Sequence, residues 1–201
     1  MNSTTSSRPR LRILLAAVAT ALTALASLVA VSAPAQADAP APEDGTARYE
    51  IDFMTDMIDH HHMAIMMSSM CLDKAIHSEL EATCADIITA QEQEIATMQD
   101  WLADWYGVSY EPEMTTGDMM AMQRLHRLEG EDFEIAFMKS MTRHHWKAVT
   151  QAEKCADTAY HDALVAMCED IITVQLAEIE QMQTWLCEWY DRCGGRPTKT
   201  V

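Results

Sequence analysis

The sequence predicts an all-α protein, a four-helix bundle made from two duplicated helical hairpins. Three observations support this prediction: residues 49–106 repeat as residues 133–190, apolar residues recur at helical spacing in each copy, and a polar turn divides each copy in two. Two hairpins present four apolar helix faces, and packing these faces around one core is the usual way to bury them.

The repeat aligns the two segments at one constant offset and without a gap, and about half of the aligned positions are identical. The sequence D-I-I-T, for example, occurs at Asp86–Thr89 and again at Asp170–Thr173. Agreement at this level indicates an internal duplication, so the two copies are expected to share one fold.

Each copy has the pattern of two helices. On the first, one face has apolar positions three or four residues apart: Phe53, Met57, His60, Ala64, Met67 and Cys71. Ser78 and Glu81 have the spacing of a capping box, which predicts a new helix start, and Asp162 is expected to cap the equivalent helix of the second copy. On the second helix, apolar residues recur every seven positions, as in packed helices: Ile88, Ile95 and Leu102. Gly107 is expected to end this helix.

The first residues predict export. A basic region at Arg8–Arg12, an apolar run at Ile13–Val31 and a small-residue cleavage site at Ala35–Ala37 follow in the order of a secretory signal peptide. Residues 1–37 are therefore predicted to be removed, which leaves a secreted or extracytoplasmic chain in the cell envelope. The alternative is a retained membrane anchor, because the apolar run is about long enough to span a bilayer.

The remaining segments flank or connect the two hairpins. Residues 38–48 and 191–201 are rich in Pro, Gly and polar residues, so they are predicted to be a disordered linker and a disordered tail. Residues 107–132 form a methionine-rich connector with a short helix predicted at Asp118–Leu128.

The composition argues against nucleic acid and anionic membranes as binding partners. The formal net charge is −17, and so acidic a surface repels nucleic acid and anionic lipid while it attracts cations only loosely. The chain also has 6 cysteines and 16 methionines. An even number of cysteines fits an oxidising compartment, and this usage of methionine is several times the ordinary one.

The cysteines predict three disulfides. Cys71 and Cys84 lie at similar distances on either side of the first hairpin turn, and Cys155 and Cys168 repeat that arrangement. Each pair would close a loop of about 13 residues and stabilise the fold by about 3 kcal/mol. Cys187 and Cys193 are left over and are expected to staple the end of the last helix. A thiolate metal site is the alternative, but no pair has C-x-x-C spacing.

A Met-x-x-His-His motif in both copies predicts a metal site that favours copper, and Cu(I) in particular. Thioether sulfur selects Cu(I), and imidazole accepts either oxidation state. Methionine and histidine three or four residues apart can meet on one helix face. The candidate ligands are Met54, Met57, His60, His61, Met63, Met66 and Met67 in the first copy and Met138, Met141, His144 and His145 in the second. The first copy has more candidate ligands than the second. The sequence does not decide whether the two motifs form one shared site or two separate sites.

Simpler interpretations apply to the neighbouring residues. Met98 and Met182 lie on the helix seam, where methionine usually packs in the core. Gln91 and Glu94 could orient the histidines or form interhelical hydrogen bonds. His77 and His161, at the hairpin turns, are expected to be exposed.

The sequence resembles the domain-of-unknown-function family 305. The run M-x-x-H-H-x-x-A, at Met57–Ala64 and Met141–Ala148, is followed by I-I-x-x-Q-x-x-E-I-x-x-M-x-x-W-L at Ile87–Leu102 and Ile171–Leu186. The resemblance implies a ferritin-like bundle of an exported bacterial protein, and copper binding and resistance of the CopM type. Family copies commonly have Pro-His-His-x-Gly-Ala at the first motif; this chain departs from that pattern in both copies, and its paired cysteines look like an addition.

The leading hypothesis is a copper-binding protein that sequesters copper or hands it over, and is not an enzyme. Its partners would be metal ions, with a copper exporter or another copper protein as the donor or acceptor. A ferritin-like dinuclear oxidase is the second hypothesis, but it needs Glu-x-x-His on two helices, and no histidine here has a Glu three residues before it. The third is a structural or interaction module whose methionines pack in the core. The oligomeric state is open.

Overall fold

The computed structural model describes residues 39–194, which belong to one compact unit. In this range the chain is helical and has no strand, so the all-α prediction is confirmed. The predicted signal peptide and residues 195–201 of the predicted tail lie outside the described residues. The helices are α1 (Asp44–Lys74), α2 (Ser78–Tyr106), α3 (Thr116–His126), α4 (Gly130–Thr158) and α5 (Asp162–Tyr190). Among these, none combines the length and apolar character needed to cross a bilayer.

The four long helices form two hairpins, and the hairpins pack into a helical bundle. α1 packs along α2, α4 packs along α5, and the two hairpins meet mainly through α1 and α4. The short helix α3 lies against α1 and α4. The duplication therefore brings equivalent helices of the two copies, α1 and α4, into contact.

Disulfides tie the helices of the described chain near their ends. Cys71–Cys84 joins α1 to α2, and Cys155–Cys168 joins α4 to α5. Cys187–Cys193 closes the end of α5. These are the pairs that the sequence predicted, and they fit an extracytoplasmic location, since such bonds persist in oxidising compartments.

Several helix ends differ from the sequence prediction. α1 begins at Asp44, so the end of the predicted linker, residues 38–48, is helical. α3 lies two residues earlier than the predicted short helix, because Thr115 and Asp118 form a capping box at its start. Gly107 ends α2 in the left-handed conformation that favours glycine, as predicted.

The predicted caps of α2 and α5 were wrong. His77 and His161 occupy the N-cap positions, and neither side chain caps its helix. The acceptors come from the opposite hairpin: Glu134 Oε1 accepts the backbone N–H of Ile76 at 2.7 Å and of His77 at 2.9 Å. Ser78 and Asp162 are instead the first residues of their helices, one position beyond the N-cap, so their side chains are not in the capping position.

Glu50 makes the equivalent contact with the second hairpin turn. Its Oε1 accepts the backbone N–H of Tyr160 at 2.6 Å and of His161 at 3.0 Å, and its Oε2 lies 2.6 Å from His161 Nδ1. The Tyr106 hydroxyl also donates to this carboxylate. The Trp105 ring stacks on His161 with centroids 3.8 Å apart.

The turn contact of Glu134 repeats these interactions. His77 Nδ1 lies 2.7 Å from Glu134 Oε2, the Tyr190 hydroxyl donates to the same carboxylate, and Trp189 stacks on His77 with centroids 3.9 Å apart. His161 is buried and the His77 side chain is only 33% exposed, so the prediction that both are exposed was wrong. Each turn is thus fixed to the first helix of the other hairpin.

Both carboxylates are held in the charged form. Burial alone would raise the pKa of Glu134, but hydrogen bonds from Tyr190 and from the backbone and ring of His77 outweigh burial, so the pKa is lowered. The same two effects oppose each other at Glu50. Burial raises its pKa, but the hydrogen bonds from Tyr106 and His161 outweigh burial, so the pKa is lowered.

Acid should therefore weaken the fold through these two contacts. A carboxylate with a lowered folded-state pKa stabilises the fold above its unfolded pKa of about 4.3, and this contribution is lost as the pH falls further. E134Q should cost about 1.5–3 kcal/mol at pH 7, the usual contribution of a hydrogen bond to a charged group. It should also reduce the loss of stability between pH 5 and pH 3.

Urea denaturation at pH 7, 5 and 3, with the disulfides intact, measures both effects. E92Q is the matched control, because Glu92 is exposed on α2 and its replacement should change neither quantity. An E134Q variant with the stability and acid dependence of the unsubstituted chain would contradict this account of the turn contacts.

Candidate metal centre

A layer of polar side chains crosses the middle of the bundle between two apolar clusters. One cluster includes Met57 of α1 and Met98 of α2, and the other includes Met67 of α1 and Met182 of α5. On each long helix, polar residues lie between the members of the two clusters. We call this set the histidine layer: His60, His61, Gln91, Glu94, His144, His145, Gln175 and Glu178.

His60 and His144 meet face to face where α1 packs on α4. Their ring centroids are 3.5 Å apart with an interplanar angle of 27°, and His60 Nε2 lies 3.0 Å from the carbonyl oxygen of His144. The two residues occupy equivalent positions of the two copies. The two Met-x-x-His-His motifs, whose relation the sequence left open, therefore converge on one layer.

The second histidine of each motif turns toward the second helix of its own hairpin. His61 Nε2 lies 2.7 Å from Glu94 Oε2, and His145 Nε2 lies 2.7 Å from Glu178 Oε2. Both contacts are at ion-pair distance, but their direction is not that of a hydrogen bond. Glu94 and Glu178 thus lie against these rings without satisfying the ring nitrogens, and the role considered for Glu94 in orienting a histidine stays a prediction.

The ring nitrogens of the layer have an unused capacity to bind. Apart from His60 Nε2, every ring nitrogen of His60, His61, His144 and His145 is buried without a hydrogen bond from the protein. A buried polar atom without a partner costs about 1–3 kcal/mol, and folded proteins rarely keep one. A metal ion is a partner that these lone pairs fit.

Burial keeps the central pair neutral. Burial lowers the pKa of His60 to about 2, with further lowering by the charges of His61, Lys147 and His145, and the hydrogen bond to the His144 carbonyl opposes this only in part. Burial likewise lowers the pKa of His144 well below its ordinary value. Both rings are therefore unprotonated at pH 7, which is the form that binds a metal ion.

A groove between α1, α3 and α4 gives access to this pair. Its volume is about 450 Å³, and two histidines and three methionines are among its lining residues: His60, His144, Met63, Met67 and Met122. Further lining residues are charged: Asp56, Asp59, Glu113 and Asp118 against Arg143 and Lys147. Carboxylates outnumber cationic groups there, so the groove attracts cations. We call it the histidine groove.

The connector forms one wall of the histidine groove because charged side chains of α1 hold it in place. Asp59 accepts hydrogen bonds from the Tyr110 hydroxyl at 2.8 Å and from the Glu113 backbone N–H at 2.7 Å. Lys74 donates to the carbonyl oxygens of His126 at 2.9 Å and Leu128 at 3.0 Å. Together these contacts place Met122 in the groove, a residue absent from the predicted ligands.

The predicted ligands fall into four groups. His61 and His145 form one of these: they lie against Glu94 and Glu178 and do not line the histidine groove. His60, His144, Met63 and Met67 line the histidine groove. Met66 is 41% exposed and lies outside it. The remaining predicted methionines are fully buried in the apolar clusters on either side of the layer: Met54, Met57, Met138 and Met141. Met98 and Met182 are core residues, as predicted.

Carboxylates, cysteines and histidines alone do not form a metal site in this fold. In residues 39–194, no three such side chains are placed so that they could hold an ion together. The other soft donor among the lining residues of the histidine groove is methionine sulfur, which favours a soft ion.

The chain belongs to the family described as domain of unknown function DUF305, whose model matches residues 50–186. This confirms the resemblance seen in the sequence. No protein with a curated description matches the chain.

Solved structures of similar proteins include CopM with bound copper. The Cu(I)-bound form of CopM is 31% identical, with a TM-score of 0.63, and the match covers 70% of this chain and 97% of CopM. The Cu(II)-bound form is 32% identical, with a TM-score of 0.64 over the same shares. A DUF305 protein of Streptomyces coelicolor shares the fold at 24% identity and a TM-score of 0.64, over 74% of this chain and 97% of that one.

The unpaired ring nitrogens predict that the histidine layer destabilises the metal-free protein. Replacing His144 by Phe removes two such nitrogens and keeps a ring to stack on His60. We expect this variant to be about 1 kcal/mol more stable than the unsubstituted chain without metal, because an unpaired buried polar group is replaced by an apolar one.

Thermal and urea unfolding in the presence of a chelator test this expectation. His126→Phe is the control, because His126 is exposed and its replacement should leave stability within about 0.5 kcal/mol. A clear loss of stability in His144→Phe would show that the protein already satisfies the His144 ring.

Proposed function

We propose that this chain is an exported copper-binding protein that sequesters copper, or hands it over, through methionine and histidine ligands. The observation that supports this most directly is the neutral pair His60 and His144 in a groove that methionines also line. Three of the four ring nitrogens of this pair are buried and have no hydrogen-bond partner. Copper would be cargo in this proposal, and Cu(I) its favoured form.

The donor chemistry favours Cu(I). Imidazole nitrogen and thioether sulfur are neutral and soft, whereas Ca²⁺ and Mg²⁺ require several oxygen ligands. Thiolates are not available as competitors, because Cys71, Cys84 and the other four cysteines are paired in disulfides. We place His60 and His144 with Met63, Met67 and Met122 as the first ligands.

The other predicted ligands have secondary places in this proposal. His61 and His145 are drawn toward Glu94 and Glu178, so their rings would complete the site after a change of side-chain orientation. The remaining predicted methionines flank the layer within the apolar clusters: Met54, Met57, Met138 and Met141. Met66 is exposed outside the histidine groove and is not a ligand of this site.

The similar proteins and the predicted extracytoplasmic location both support a role in copper homeostasis or resistance. CopM has been solved with Cu(I), Cu(II) and silver bound, and it is about one-third identical to this chain. The predicted signal peptide and the disulfides support export of the chain from the cytoplasm. Outside the cytoplasm, a copper exporter or another copper protein would be the donor or acceptor of the copper ion. We also infer that the four long helices adopt a ferritin-like arrangement.

Replacing both central histidines should abolish the tightest copper binding. We expect the chain to retain at least one Cu(I) in competition with a chromogenic Cu(I) chelator, and His60→Ala/His144→Ala to lose that equivalent. The reason is that the double variant removes the nitrogen ligands at the base of the histidine groove. Absorbance of the chelator complex measures the copper that remains on the protein.

His62→Ala is the matched control, since His62 is adjacent in sequence but does not line the groove. Circular dichroism of each variant establishes that the helices are intact. If the folded double variant keeps as much copper as the unsubstituted chain, the site assignment is wrong. If the unsubstituted chain binds none, the proposed function is wrong.

A further inference from the structure

A second groove opens beside the first, between α1 and α3. Its volume is about 430 Å³, and Met66, Met70, Met122 and His126 are among the residues that line it. Met66 and Met70 are four residues apart on α1, and Met122 and His126 are four residues apart on α3. Because residues at this spacing share a helix face, two helices each present a pair of soft donors to one space.

Core packing accounts for these methionines only in part, because Met70 and Met122 pack against an apolar cluster but stay partly exposed. Met66 is 41% exposed, and His126 is exposed as well. A thioether in a protein interior is a gap filler among other apolar side chains, but at an open surface it gains little from burial. Charged groups also line the groove, one of each sign, at Asp73 and Arg127. The groove therefore does not have the several oxygen donors that a hard cation needs.

We infer that this groove is a second, surface-exposed site for Cu(I), with Met66, Met70, Met122 and His126 as its ligands. Three thioethers and one imidazole form a neutral donor set that suits a soft monovalent ion. The inference rests on the proposed function only in taking copper as the ion. We call this site the methionine port.

Met122 links the methionine port to the histidine groove, because it lines both. A copper ion can therefore pass from one site to the other through ligand exchange at this one sulfur atom. The port is open to solvent, whereas the ring nitrogens of the central pair are buried. The port is thus the place where a copper donor or acceptor would reach the ion.

Silver titration of the full exported chain tests the port. Ag(I) is a soft monovalent probe that needs no reductant, so the disulfides stay intact. Isothermal titration calorimetry should give two equivalents for the unsubstituted chain and one equivalent for Met66→Leu/Met70→Leu. Met119→Leu/Met120→Leu is the control: both residues are exposed on α3 but do not line the groove, so this variant should keep both equivalents.

His60→Phe/His144→Phe separates the port from the buried site. This variant should keep one equivalent, and ¹³C-methyl spectra should show the Met66, Met70 and Met122 signals shifting as that silver ion binds. The port would be overturned if Met66→Leu/Met70→Leu binds as many ions as the unsubstituted chain, or if the Met66 and Met70 signals stay in place. If instead the histidine variant keeps both equivalents, the buried site fails and the port stands.

Discussion

Four imidazole rings lie inside the helical bundle, and the protein leaves most of their nitrogens without a partner. Apolar side chains above and below the layer exclude alternative partners, and the same burial keeps His60 and His144 neutral. The buried, unpaired ring nitrogens thus lower the stability of the metal-free protein. Under the proposed function, a bound ion would offset this loss of stability, because binding to the folded state alone adds to stability.

The geometry of this layer depends on how the two hairpins are held together. α1 and α4 are equivalent helices of the duplication, and their contact places His60 on His144. Glu50 and Glu134 fix each helix to the turn of the other hairpin, on both sides of the layer. Any slip of α1 along α4 would break both turn contacts, so these contacts maintain the stacked pair.

The sequence predicted the helices, the turns and the disulfides, because these depend on local signals. The signals are the helical spacing of apolar residues and the positions of the cysteines on either side of each hairpin turn. It did not predict that His60 meets His144, since the pattern defines the apolar face of each helix but not which faces pack together. Glu50 and Glu134 were missed because a glutamate in an amphipathic helix is ordinarily a surface residue. Met122 lies in the connector, whose path depends on contacts of Asp59 and Lys74 that are distant in sequence.

The central claim is that copper binds at the junction of the two histidine motifs. Anomalous diffraction at the copper edge, from crystals of the chain without its predicted signal peptide grown with Cu(I), locates the ion directly. We expect a strong peak within bonding distance of His60 and His144 ring nitrogens and of methionine sulfur in the histidine groove. A fully loaded crystal with copper only at surface carboxylates, and none at this pair, would contradict it.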